Sequence, residues 1–120
     1  MNSIKELIVN NKSITNLYQI KSYLSKYGLT WILEAEIEHA VLEINKNKRL
    51  VWHMGTWNYG TWVYGIWIDG LWQSGNWMNG VWYNGVWKDG TWHNGTWING
   101  VWEEGKRLNG EFKSEPLANL

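Results

Sequence analysis

VWHMGTWNYGTWVYGIWIDGLWQSGNWMNGVWYNGVWKDGTWHNGTWINGVWEEG, residues 51–105, consists of eleven consecutive x-Trp-x-x-Gly units. Trp occupies Trp52, Trp57, Trp62, Trp67, Trp72, Trp77, Trp82, Trp87, Trp92, Trp97 and Trp102, and Gly follows three places after each, from Gly55 to Gly105. Recurrence this regular marks a repeat architecture. A five-residue period suits neither a helix nor a plain strand, whose periods are about 3.6 and 2. It suits a short extended segment followed by a bend. Four Val, four Thr, Ile66, Leu71 and Asn76 precede the Trp residues, and such side chains fit a half-buried pleated surface. Asp69, Asn79, Asn84, Asp89, Asn94 and Asn99 stand before Gly. Asn-Gly and Asp-Gly favour bends because both residues tolerate positive φ.

Two all-β arrays satisfy this unit. One is a single-layer antiparallel meander of short hairpins. The other is a right-handed β-solenoid of five-residue units, with Trp pointing inward and a short N-terminal helical cap. Tight hairpins want positive φ at both central residues, which Met54, Tyr59, Tyr64 and Glu104 suit poorly. A meander also leaves one face of its Trp bare. The solenoid is therefore the expected fold, and the eleven Trp are its structural core.

The flanks are read from the array outward. Residues 1–28 are expected to form the helical cap: Ser3 and Glu6 have capping-box spacing, and a second helix starts near Ser13. That helix presents Ile14, Leu17, Lys21, Leu24 and Tyr27 on one face, and Gly28 stands where a helix ends in a left-handed residue. The pentad domain is expected over 29–115, with residues 116–120 as a tail. Leu33, Ile37, Ala40, Val41 and Ile44 would also fit a helical face. However, the array's phase runs backwards through Leu42, Ile37 and Ile32 and through Ala40 and Ala35. Strand is the expectation for 29–44.

A small residue two places before a large apolar one, every five positions, resembles the pentapeptide-repeat proteins. Ala35-Glu36-Ile37 and Ala40-Val41-Leu42 carry the likeness most clearly, and Gly90-Thr91-Trp92 has the same phase. Here Gly replaces Ala and Trp replaces Leu or Phe throughout the array, an exchange that roughly conserves core volume. The resemblance implies a four-sided β-helix with one pentad per side. The array's style also resembles Trp-Gly pentad tracts of phage proteins. After Gly105 the phase returns once, at Gly110-Glu111-Phe112, with Arg107 in the intervening Trp position.

Eleven basic and eleven acidic residues leave no net charge, so no overall field draws the chain to nucleic acid or anionic membrane. The absence of Cys excludes disulfides and thiol chemistry. No segment reads as a signal peptide or a membrane span, and a cytoplasmic or virus-encoded intracellular setting is expected. Residues 51–105 carry only Asp69, Lys88, Asp89, Glu103 and Glu104 as charges; one Lys is too few to neutralise a phosphate backbone. In a four-pentad coil, His53 and His93 would share a column, and Asp69 and Asp89 would stack in adjacent coils. Neither pair completes a metal-ligand set, and His39 stands apart. No catalytic constellation, cofactor site or metal site is expected.

Two functions remain: a non-catalytic structural or protein-interaction scaffold, and a glycan- or small-ligand-binding module using a row of exposed Trp. The third position of the unit faces away from the Gly-Trp core, and Val63, Ile68, Met78, Tyr83 and Ile98 are apolar there. An apolar patch on a weakly charged surface marks an interface, so these five are the candidate interface. In a four-sided coil, Met78 stacks with Ile98, and Val63 with Tyr83. The expected partner is a protein, most simply a second copy forming a two-fold dimer.

Overall fold

A ten-residue strand holding Trp52 and Trp57 (Leu50–Tyr59), then a two-residue strand at each Trp from Trp62 to Trp102, wind the chain from Leu50 onward into a β-solenoid with bends at the Gly positions. The computed structural model describes residues 3–114; the expected tail at 116–120 lies outside the described residues. Val51-Trp52 pairs in parallel with Ile66-Trp67, which pairs with Val81-Trp82; Thr96-Trp97 and Glu111-Phe112 continue the row. Thr56-Trp57 begins a second row through Leu71, Val86 and Val101. Thr61-Trp62 begins a third through Asn76, Thr91 and Lys106. Partners are three pentads apart, so the coil is three-sided and not four-sided as expected. The coil repeats in Trp every five residues, in a pattern like that of the pentapeptide repeats.

The side count follows from what fills the interior. Indoles on adjacent sides meet edge to face: Trp52 lies 6.0 Å from Trp57 at 65°, and Trp57 lies 5.8 Å from Trp62 at 69°. Trp52 and Trp62 close the triangle at 6.4 Å. Each ring therefore touches both others. A square of four would leave its diagonal partners apart and its centre empty, which a close-packed interior does not tolerate. Along each row the rings lie parallel, as in Trp67 over Trp52 at 4.7 Å and 6°, or Trp77 over Trp62 at 4.9 Å and 3°. That repeat is the spacing of neighbouring strands and also an offset-stacking distance for aromatic rings. The ten Trp from Trp52 to Trp97 have no exposed surface, and Trp102 has 8%.

Two backbone bonds per pentad hold successive coils together. The Val81 N–H donates to the Gly65 carbonyl at 3.0 Å, and the Tyr83 N–H to the Trp67 carbonyl at 2.8 Å. Gly80 has φ +125°, and a Cβ there would run into the Gly65 carbonyl oxygen of the coil below. The bend needs Gly for space as well as for backbone angle. The Asn or Asp before Gly has another role than the one expected. None of the array's non-Gly residues has positive φ; the Asn79 Oδ1 instead accepts the Gly80 N–H at 2.8 Å, as Asp69 and Asp89 do for their own Gly. Because φ stays negative at that position, Met54, Tyr59, Tyr64 and Glu104 fit it without strain.

The N-terminal end is closed by a mixed cap. Residues 4–14, expected to be helical, form a hairpin of β1 (Ile4–Val9) and β2 (Lys12–Ile14). Its turn is Asn10-Asn11, with φ of 52° and 62°, the primed geometry that suits two-residue hairpins. Ser3 caps no helix: its Oγ accepts the His39 N–H at 2.8 Å. The helix is α1 (Leu17–Lys26), with the Asn16 side chain accepting the Gln19 N–H at its start. It buries Ile20 and Leu24, while Leu17, expected on the packed face, is 54% exposed. Gly28 follows with φ +70°. A 3-10 turn (Thr30–Glu34) leads to β3 (Glu36–Ile44), the expected strand, which pairs in parallel with β1 and antiparallel with β4 (Leu50–Tyr59).

The backward phase has a physical basis. Ile37 pairs with Trp57 and Leu42 with Trp52. A Cβ on Gly55 would stand 2.8 Å from the Ala40 Cα, and one on Gly60 would stand 3.0 Å from the Ala35 Cα. Small meets small and large meets large, but across an antiparallel pair instead of a coil. Buried Ile32 completes the phase.

Candidate functional site

With Trp inward, the first and third residues of each pentad form the outer sides. The three-pentad register sorts the five candidate interface residues differently from the expected columns. Ile68, Tyr83 and Ile98 stack on the first side, beside Ile66, Val81 and Thr96. Val63 and Met78 stack on the third side, followed by His93 and Leu108. Val63, Met78 and Tyr83 are exposed, at 43%, 38% and 45%; Ile68 and Ile98 are half-buried. The first and third pentad positions from Ile66 to Ile98 on the first side carry no charge, and exposed Asp69 stands at the bend beside them. On the second side the same positions carry Lys88 and Glu103, paired at 3.7 Å.

The polar candidates separate. His53 and His93 lie on different sides; His53 Nε2 meets Glu43 Oε1 at 2.7 Å, and His93 Nε2 meets Asn76 Oδ1 at 3.2 Å. Asp69 and Asp89 do not stack, because the residues one coil above and below Asp69 are Asn84 and Met54. No group of three His, Cys, Asp or Glu among the described residues could hold a metal ion. No helix among them is long and apolar enough to cross a membrane. The eleven array indoles point inward, so the row of exposed Trp required for the glycan reading does not form.

One aromatic cleft was not anticipated. A cavity of about 350 Å³ opens between the 3-10 turn and the first coil, lined by Trp31, Glu34, Tyr59, Gly60, Thr61 and Val63. Trp31 packs edge-on against Trp62 at 5.4 Å and 76° and is the only one of the twelve Trp that is not buried. Its sequence signal is a break in phase, since Ile32 and not Trp31 falls on the pentad position. Comparisons with known proteins find no matching family model, no matching curated protein and no matching solved structure.

Proposed function

We propose that this protein is a non-catalytic scaffold whose first solenoid side docks another protein, most simply a second copy of itself. The five-residue spacing supports a divergent kinship with the pentapeptide-repeat proteins, built on a three-sided coil. The observation that carries the interaction reading is the uncharged run Ile66, Ile68, Val81, Tyr83, Thr96 and Ile98 on consecutive parallel strands. A rigid rod of packed repeats presents such a run at fixed spacing and loses little entropy on docking. Depletion of charge at the centre of a patch is the compositional mark of an interface.

Light scattering tests the reading. The wild type is expected to have the mass of an oligomer, and Tyr83→Lys/Ile98→Lys that of a monomer, while Met78→Lys on the third side leaves the oligomer intact. A monomeric wild type removes self-association. An oligomer unchanged by the double variant moves the contact off the first side. The tryptophan emission maximum of each variant, matching that of the wild type, controls for an intact array.

A further inference from the structure

We infer that the cleft beside Trp31 binds an organic ammonium group, such as a lysine side chain of a partner or a small methylated amine. Its lining combines two aromatic residues, Trp31 and Tyr59, with apolar Val63, the carboxylate-bearing Glu34 and the hydroxyl-bearing Thr61. Aromatic ring faces carry negative charge density that attracts ammonium groups, most strongly for Trp. Glu34 adds a full negative charge and has no hydrogen-bond or ion-pair partner among the described residues. No Lys, Arg or His lines the cleft. The one charged residue lining the cleft is therefore acidic, which disfavours anions and favours a cation with apolar substituents.

Four of the chain's cations lie against other rings. Lys26 and Lys48 each lie 5.4 Å from the Tyr27 ring centroid, Arg49 lies 5.2 Å from Tyr64, and Arg107 covers Trp102 and Phe112 at 5.6 and 5.0 Å. Among the described residues, no such cation covers Trp31 or Tyr59. The cleft lies between the cap and the third side, so the inference goes beyond the docking reading of the first side and does not rest on it.

The test follows the indole N–H resonance of Trp31 by NMR in the full chain. Four probes are titrated: N-acetyl-lysine methylamide, choline, its neutral isostere 3,3-dimethylbutanol, and N-acetylglucosamine. Both cations are expected to shift the resonance saturably, with the neutral isostere at least about tenfold weaker. Exposed Glu34→Gln should weaken both cations about fivefold, within the range of an exposed charge pair, and Tyr59→Leu should do so as well. Trp31→Ala removes a ring that packs on Trp62, so these two surface variants carry the test. Tighter binding of the lysine analogue points to a partner's side chain; tighter binding of choline points to a small methylated amine. Equal binding of the neutral isostere, a response to the sugar alone, unchanged affinity in Glu34→Gln, or no response to either cation overturns the inference.

Discussion

Each indole brings both a large apolar surface and an N–H donor into the coil, and the rows differ in how they accommodate the donor. Trp62 and Trp77 on the third side donate to the Asn79 and Asn94 carbonyls at 3.2 and 3.1 Å; Trp72 and Trp87 on the second donate to Asp89 and Glu104 at 3.0 Å. On the first side, Trp52, Trp67, Trp82 and Trp97 find no acceptor among the described residues, and neither do Trp57 on the second side and Trp92 on the third. An aromatic side chain buries about 150–250 Å², worth about 4–6 kcal/mol at ~25 cal/mol per Å². An unpaired buried donor costs about 1–3 kcal/mol, so burial wins and the row persists. At the end of this same row stands Phe112, paired in register with Trp97 and without an N–H to satisfy. Trp77→Ala should cost about 3–5 kcal/mol in urea unfolding, as other buried aromatic truncations do; a loss below about 1 kcal/mol would contradict burial. A finer comparison separates the rows. Trp77→Phe loses ring volume and a hydrogen bond, whereas Trp82→Phe loses the volume but removes an orphan donor. Trp77→Phe should therefore be the less stable by about 1 kcal/mol or more, and equal midpoints would mean that the Asn94 bond contributes nothing.

The pentad as an element was legible because Trp and Gly each have one physical role, repeated. Trp must face the interior, and Gly80 must let one coil approach the next. Two glycines with positive φ separate conformation from space. At Gly28, φ is +70° and a Cβ meets nothing within 4 Å, so Gly28→Ala should cost about 1–2 kcal/mol, the left-handed penalty alone. At Gly80 the angle lies outside the ordinary left-handed region and the Cβ collides with the Gly65 carbonyl. Gly80→Ala should cost more than about 4 kcal/mol, and similar melting temperatures for the two variants would refute the steric account. Less was legible where the partner decides the element. Ile4–Val9 met a capping-box spacing but pairs with β3, and tertiary pairing overrides local helix signals; the paired Asn10-Asn11 was the available hairpin cue. The number of sides was also hidden, because pentad spacing encodes the inward residue and the bend but not how many indoles fill a cross-section. Trp31 was visible only as a Trp out of phase, and its cleft needed Tyr59 and Glu34 brought beside it by the β3–β4 pairing.

At the scale of the whole molecule, the array is close to one-dimensional: each coil contacts only its neighbours, and stability accumulates coil by coil. The cap closes one end, with β3 placing Ala35 and Ala40 against Gly60 and Gly55. Toward the other, Phe112 leans on Trp97 at 32° and Arg107 covers Trp102. The length of the coil then sets which surface residues are neighbours, and that spacing can be measured without altering the core. Residues one coil apart on one side, such as Gln73 and Lys88, follow the in-register pairs Trp72 and Trp87, so their backbones should lie at the strand spacing of about 4.8 Å. That falls within the span a disulfide bridges, about 4.4–6.8 Å between Cα atoms. The chain has no Cys of its own, so an introduced pair has no competitor. Gln73→Cys/Lys88→Cys should oxidise to an intramolecular disulfide, seen as loss of free thiol and faster migration on a non-reducing gel. Gln73→Cys/His93→Cys, four pentads apart and on different sides of a three-sided coil, should keep both thiols under the same conditions. A four-sided coil predicts the reverse pattern, so cross-linking of the second pair with the first left reduced would overturn the three-sided register and with it the grouping of Ile68, Tyr83 and Ile98 on one face.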